Sequence, residues 1–509
     1  MHTLSKSKIL AYCHCPRRLW LEIHEPQACC ASTDTEARFR AGQRVGEIAR
    51  RIYDPLGQGV VLDVNAAGVS AAVAQTQQWL TERRPLFEAG FQTPDGTARA
   101  FVDVLLPVRD AQGRAAWRMV EVKSSTEVKD YHRQDALFQA WVLRASGLPL
   151  VGVALAHIDK NWVYAGNGDY AGLLVEQDVT AEAFAGAAQA RAWVEDAQRT
   201  IAASQPPRVF TDSHCRTPYA CGFLDYCRAR ETLVSDHHPL DCLPDVRKNT
   251  ALKQHITTYR EQNGVVGLRA VPENLLNDLQ RRVRCATITG QPYFDAAGAA
   301  QDLQPHGLPA YFLDFESANL AVPLWPGARP YQQTVFQFSC HCQAADGSLS
   351  HREFLDLSGW DPASAFADAL LAACGAAGPI FVYNQAFEKE RIRELAKRFP
   401  ERKSQLEALN ARVVDLLPVA RAHYYHPAQR GSWSIKAVLP TVAPELDYEH
   451  LTGVRDGNLA AAAYEEAVAP TTAAARRAEL DCQLRAYCAL DTLALVRLWR
   501  FLSGQCQAA

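Results

Sequence analysis

Residues 311–317 read YFLDFES, a run in which Tyr311, Phe312, Leu313 and Phe315 favour a buried strand while Asp314 and Glu316 set two carboxylates inside it. Alternate residues of a strand share a face, so the two acids stand on one side and repel each other unless something positive lies between them. A metal ion is the simplest candidate. The stretch therefore predicts a core strand of an α/β unit with a cation site on one face.

Working outward, this unit begins at about residue 306 and runs through the strands AYFLDFES, TVFQFSCHCQ and SHREFLDL, with ADGS as the turn. A helix over 362–374, the strand PIFVYN, a helix over 386–398 and a last helix over 472–503 follow. Glu388 sits near the start of the helix after PIFVYN. In RAYCALDTLALVRLW, Tyr487 and Asp491 stand one helical turn apart on a single face. Four carboxylates converging from a strand, a strand-to-helix junction and a late helix would bind two divalent cations about 3.5–4 Å apart, an arrangement that serves phosphodiester cleavage. One cation would activate a water and the other stabilise the leaving oxygen, while the Tyr487 hydroxyl orients the water.

LDFES, VYNQAFE and YCALD together resemble the three motifs of the DnaQ-like, or DEDD, 3′-to-5′ exonucleases of the RNase H fold, and the Tyr-x-x-x-Asp ending resembles their tyrosine subclass. The resemblance implies that Asp314 bridges both metals and that Glu316 and Asp491 complete the first metal site. Glu388 stands where that family normally has aspartate, one methylene longer.

Residues 1–230 read as a second α/β unit. It is mainly helical to about residue 90, and then RAFVDVLLPVRDAQGRAAWRMVEVKSS turns at DAQG as a hairpin. A helix from about Asp130 to Ala145, the strand LVGVALAHI and a helix from near Ala181 to Pro206 complete it. The hairpin supplies Asp103, Glu121 and Lys123, the last two on one strand face. The acids can hold Mg²⁺ or Mn²⁺ while the ammonium contacts a scissile phosphate or the water. FVDVLLP with MVEVKSS resembles the PD-(D/E)xK nuclease pattern, a restriction-endonuclease-like core. Tyr131 and Gln134 in DYHRQDALFQAW resemble the DNA-contacting helix of RecB-type nucleases. Those domains usually carry an N-terminal histidine ligand in a Gly-x-x-x-His setting, whereas this chain has Gly46 followed by Glu47. Either Glu47 substitutes as a metal ligand or this centre is incomplete.

HCRTPYACGFLDYC spaces Cys215, Cys221 and Cys227 at six-residue intervals, and AYCHCPRRLWL offers Cys15, or else Cys13, as a fourth thiol. Structural zinc favours closer pairs, so this spacing points to an iron-sulfur centre of the 4Fe-4S type. One early cysteine and three late ones around a RecB-type core resemble the iron-sulfur nucleases, AddB-type subunits and CRISPR-associated RecB-family exonucleases, in which the cluster staples the two ends of the domain. The remaining cysteines, Cys340 and Cys342 among them, read as structural.

Bulk composition agrees with a soluble, multi-domain, cytoplasmic chain: 509 residues, 48% hydrophobic, with an N-terminus, MHTLSKSKIL, that lacks the apolar core of a secretory signal. No run of ~18 apolar residues could span a bilayer. A net charge of −3 gives no global attraction to nucleic acid, so binding has to use local basic patches such as the run from Lys389 to Lys403. Residues 231–305, polar and partly helical, read as a connector between units 1–230 and 306–509. The expected activity is a metal-dependent DNA nuclease working on ends or single strands, with RNA open as a substrate. The rival reading is a nucleic-acid-binding scaffold with one or both centres inactive. Arg430, Trp433 and Lys436 could line a strand channel, or Trp433 could be a core residue. Protein partners are not legible.

Overall fold

Side-chain burial alternates along Ala98–Arg109, and this pleat pattern builds the largest of three sheets among the described residues. The computed structural model of the protein describes residues 2–30, 33–232, 240–263 and 266–505. It is a mixed α/β chain of two compact units, one containing the residues up to Glu231 together with Leu320–Gln332, the other the remainder. No helix among the described residues is long and apolar enough to cross a membrane.

The first unit holds a seven-stranded sheet of β1 (Leu4–Ser5), β2 (Val60–Val61), β3 (Leu86–Gln92), β4 (Ala98–Arg109), β5 (Ala115–Lys123), β6 (Leu150–Ile158) and β7 (Leu174–Asp178), in the order β2-β3-β4-β5-β6-β7. The two-residue β1 runs parallel to the first residues of β4, Leu4 opposite Ala98, where β5 does not reach. The hairpin turns at Asp110–Gly113 as expected, with Gly113 at φ 77. Helix Asp130–Ala145 crosses from β5 to the parallel β6. The helix expected from near Ala181 is two, Thr180–Ala185 and Ala187–Ala202. The break falls at Gly186, where a Cβ would lie 2.1 Å from Leu137, so only glycine lets the chain pass so close to helix Asp130–Ala145. Leu320–Gln332 belongs here by packing: Ala321 and Val322 are buried with Tyr164, Tyr170 and Leu173, and Gly327 N donates to Tyr164 O at 2.8 Å.

The second unit contains β8 (Tyr293–Phe294), β9 (Ala310–Ala318), β10 (Thr334–Gln343), β11 (Leu349–Leu355), β12 (Ile380–Val382), β13 (Val413–Asp415) and β14 (Tyr424–Tyr425). Five of them form a sheet ordered β11-β10-β9-β12-β13, with β9 central, antiparallel to β10 and parallel to β12. Leu313, Phe315, Phe338 and Ile392 fill one core, and Phe312, Phe381 and Trp499 the other. The stretch expected as a connector is part of this second core: Leu252, Leu268, Val283 and Leu303 are buried in the same cluster as Phe312. Its short helices each offer only a few apolar side chains to the sheet, so a polar composition concealed the packing. Residues 233–239 of that stretch lie outside the described residues.

Candidate functional site

Asp314 and Glu316 project from β9, and helix Ala474–Leu502 brings Asp491 to them. One carboxylate oxygen from each lies within 4.8 Å of the others, and among the described residues these three form the group of this kind. The helix is pinned in place by Gln337 Nε2, which donates to Leu484 O at 2.9 Å, and by a 2.6 Å hydrogen bond between the Ser339 and Thr492 hydroxyls. Burial pushes the Asp314 carboxyl well up, and Asp491 and Glu316 push the same way. Glu316 is raised by burial and then by Asp491. Burial lifts Asp491 to about 6 against the pull of the Tyr448 hydroxyl and Lys436. Three crowded acids that hold on to protons are a site short of positive charge.

Two hydroxyls and one ammonium border the trio. Tyr448 donates to Asp491 Oδ1. Lys436 Nζ lies over the Tyr448 and Tyr487 rings, 5.2 and 5.0 Å from their centroids, and donates to Tyr487 OH at 3.4 Å. Burial, followed by Asp491, Glu316 and Asp314, keeps the Tyr487 phenol protonated, so it serves as a hydrogen-bond donor and not as a base. Tyr448 and Lys436 come from loop and helix segments far from the motifs. Nothing in the sequence singled out Tyr448. Of the three channel candidates, Lys436 reaches the site, whereas Trp433 is a core residue whose indole N–H donates to Tyr424 O at 2.8 Å; Arg430 is exposed.

Glu388 stands just outside the trio. It lies in the first turn of helix Ala386–Arg398, behind a junction held by Asp415, which accepts from Asn384 N at 2.9 Å and Gln385 N at 3.0 Å. Its carboxylate is near enough to raise Asp314 and Glu316. Burial lifts Glu388 itself to about 8, and its Oε2 is buried with no hydrogen-bond partner. An orphaned carboxylate oxygen beside three crowded acids suits a second cation.

Residues 311–434 match the family described as a domain of unknown function, DUF2779. That span takes in β9 and the helix of Glu388 and stops short of Tyr487 and Asp491. A comparison with curated proteins yields no match.

In the first unit Glu121 Oε1 accepts from Lys123 Nζ and from Lys6 Nζ, each at 2.7 Å, and Glu121 Oε2 accepts from Gln139 Nε2 at 2.7 Å. Gln139 also donates to Asp135 Oδ1 at 2.8 Å, and Lys123 is hydrogen-bonded to Asp135 Oδ2. Burial alone would raise Glu121; Lys123 and Lys6 outweigh it and hold the carboxyl well below its usual range. Burial and the Glu121 charge lift Asp103 to about 7, and its carboxylate accepts from Val122 N at 2.7 Å where β4 and β5 part. Glu88, at φ 57 in β3, is a further acid: it stands opposite Asp103 in the register, and burial, with Glu121, raises its carboxyl against the pull of Lys6.

One expectation for this unit changes, and the structure adds residues to its acid cluster. Glu47 is exposed on helix Thr33–Tyr53 and paired with Arg44 at 3.0 Å, with no link to the acid cluster. Gln139 of the same helix as Gln134 meets Glu121, because the inward face of helix Asp130–Ala145 carries Asp135 and Gln139 one turn apart. Lys6, Glu88 and Asp135 were missed. Lys6 arrives because β1 docks on β4 and the next helix begins at once, a placement that a two-residue strand does not announce. Tyr131 is half-buried, its ring 5.9 Å from that of Tyr219.

Tyr219 belongs to the cysteine loop. Cys15, Cys215, Cys221 and Cys227 line one pocket with Arg17 and Arg18. Pro16 forces an extended Cys15 between helices Lys6–His14 and Pro16–His24, turning its thiol out of either helix. Burial pushes the Cys227 thiol up to about 11, with Cys221, Cys215 and Cys15 adding to it. Cys13 instead packs against the core of the first sheet, its thiol raised by burial to about 12. A single tetrahedral zinc would draw thiolates to about 3.8 Å of one another, given Zn–S of ~2.3 Å. Among the described residues no three of these sulfurs lie within 4.8 Å of one another.

Proposed function

We propose that the chain is a metal-dependent nuclease that hydrolyses polynucleotide ends or single strands with the Asp314, Glu316 and Asp491 site. The observation that carries this reading is the trio itself, two buried carboxylates and the half-buried Asp314 within 4.8 Å of one another. The sheet order β11-β10-β9-β12-β13, with Asp314 and Glu316 on its central strand, supports an RNase H-like exonuclease domain. Asp314, Glu316 and Asp491 would hold Mg²⁺ or Mn²⁺, with Glu388 at a second position. The bound cations supply an activated water and charge stabilisation of the leaving oxygen. Tyr487 orients the attacking water by donating to it, Tyr448 fixes Asp491, and Lys436 faces the phosphate. The test is degradation of end-labelled single-stranded DNA with Mn²⁺: wild type should shorten it, and Asp314→Ala should lose the activity. Activity equal in the two proteins ends the reading.

The first unit is read as a RecB-type PD-(D/E)xK domain with a 4Fe-4S cluster on Cys15, Cys215, Cys221 and Cys227. That the four thiols line one pocket supports a shared centre. Iron and acid-labile sulfide should fall in Cys15→Ser and stay in Cys13→Ser; zinc in place of iron would overturn it. For its acid centre the rival reading has an observation of its own, since Lys6 and Lys123 already neutralise Glu121. Lys123→Ala in the same assay decides whether this centre cleaves.

A further inference from the structure

Helix Ala386–Arg398 carries Glu388 in its first turn and then Lys389, Arg393 and Lys397 at four-residue intervals, so the cations form a stripe that starts one residue after Glu388. The stripe borders a groove of about 520 Å³ whose other side is Lys403, from helix Lys403–Ala411, and whose floor is Ile392 and Leu406. The counter-charges are weak: exposed Arg393 meets half-buried Glu390 at 3.0 Å, and Lys403 meets Glu407, both exposed, at 3.9 Å. Among the described residues Lys389 and Lys397 make no ion pair. A surface held this positive in a chain of net charge −3 is complementary to a polyanion.

We propose that this groove binds the phosphate backbone of a single-stranded polynucleotide and leads the strand to the acids, an inference that rests on the nuclease reading of that site. Lys389, Arg393 and Lys397 recur every ~6 Å over ~12 Å of helix, so each cation can meet a successive phosphate of an extended strand. No aromatic side chain lines the groove among the described residues, so it offers charge and no stacking platform. It therefore takes DNA and RNA strands alike and without sequence preference.

Binding of a labelled single-stranded DNA, and of RNA of the same sequence, is measured by anisotropy in EDTA over a range of salt. The triple variant Lys389→Gln, Arg393→Gln, Lys397→Gln should bind both strands at least ~10-fold more weakly at low salt and lower the slope of log K on log salt by about 2, at ~0.7 per phosphate contact. A variant with matched charge loss at exposed Lys248, Lys253 and Arg269 should keep the wild-type slope. Equal slopes for the groove variant and wild type overturn the groove, as does an equal loss in the matched variant. If Asp314→Asn has meanwhile abolished hydrolysis, the strand path alone is wrong and the nuclease reading stands. Wild type that binds neither strand overturns the groove outright, and the hydrolysis assay then judges the site separately.

Discussion

Two acid clusters lie in this chain, and they differ in what neutralises them. In the second unit Asp314, Glu316 and Asp491 crowd together with one ammonium, that of Lys436, at their border, and all three keep their protons above the usual range. In the first unit Glu121 sits against two ammonium groups and is ionised well below that range. Desolvation acts on both; at Glu121 two ammonium groups reverse its sign, while Asp103, Glu88 and Asp135 of the same cluster stay raised. Acids at similar spacing thus differ in how much positive charge the fold has already supplied around them.

The sharpest way to break this contrast is to count metal sites. Calorimetric titration with Mn²⁺ should find binding that disappears in Asp314→Asn, and at ~100-fold excess over Kd the metal should stabilise the wild type by about 2.7 kcal/mol. Lys6→Met should add a new, weaker site at Asp103 and Glu121; if it adds none, Lys6 is no substitute for a cation.

Next in size is the pH response of the metal-free protein. Glu388 is raised to about 8, so between about pH 4.5 and 8 the folded chain holds a proton that the unfolded chain has released. Stability must therefore fall as pH rises through that window, by up to ~4 kcal/mol, and Glu388→Gln should flatten the fall in thermal melts. Glu121 carries the opposite sign. Its depressed value gives stability that is full above the ordinary carboxylate range and is lost as the solution becomes more acid, so Glu121→Gln should flatten only the acid limb. A wild type equally stable at pH 5 and 8 would erase the distinction. The smallest expected effect is that of Tyr448→Phe, which removes one charge-assisted hydrogen bond from Asp491 and should cost ~1.5–3 kcal/mol of site stabilisation, read as a ~10- to 150-fold drop in kcat with the melting temperature nearly kept.

Legibility in the sequence followed the same divide between local and long-range causes. β9, β10 and helix Asp130–Ala145 were readable because apolar residues repeat at the strand or helix period over many positions. Asp314, Glu316 and Asp491 were readable because their neighbours form motifs. Lys6, Glu88 and Tyr448 were not. Each reaches its site through a feature without periodicity: a two-residue strand, a left-handed backbone at φ 57, and a loop turn capped by Asp447. Gln139 could have been found, since it follows Asp135 by four residues on the face that carries buried Phe138 and Leu143. The helices of residues 240–303 were misjudged because their few apolar residues are spread among many charged ones.

The excursion Leu320–Gln332 leaves β9 directly after the residues that bear Asp314 and Glu316 and rejoins β10. The backbone thus passes from one unit to the other and back again. No single peptide bond can be cut to release two whole halves, and a fragment ending at Glu231 would strip Ala321 and Val322 from Tyr164 and Tyr170. Gene truncation or a lone protease nick should therefore yield damaged pieces, and the two halves would have to be inherited, expressed and degraded as one.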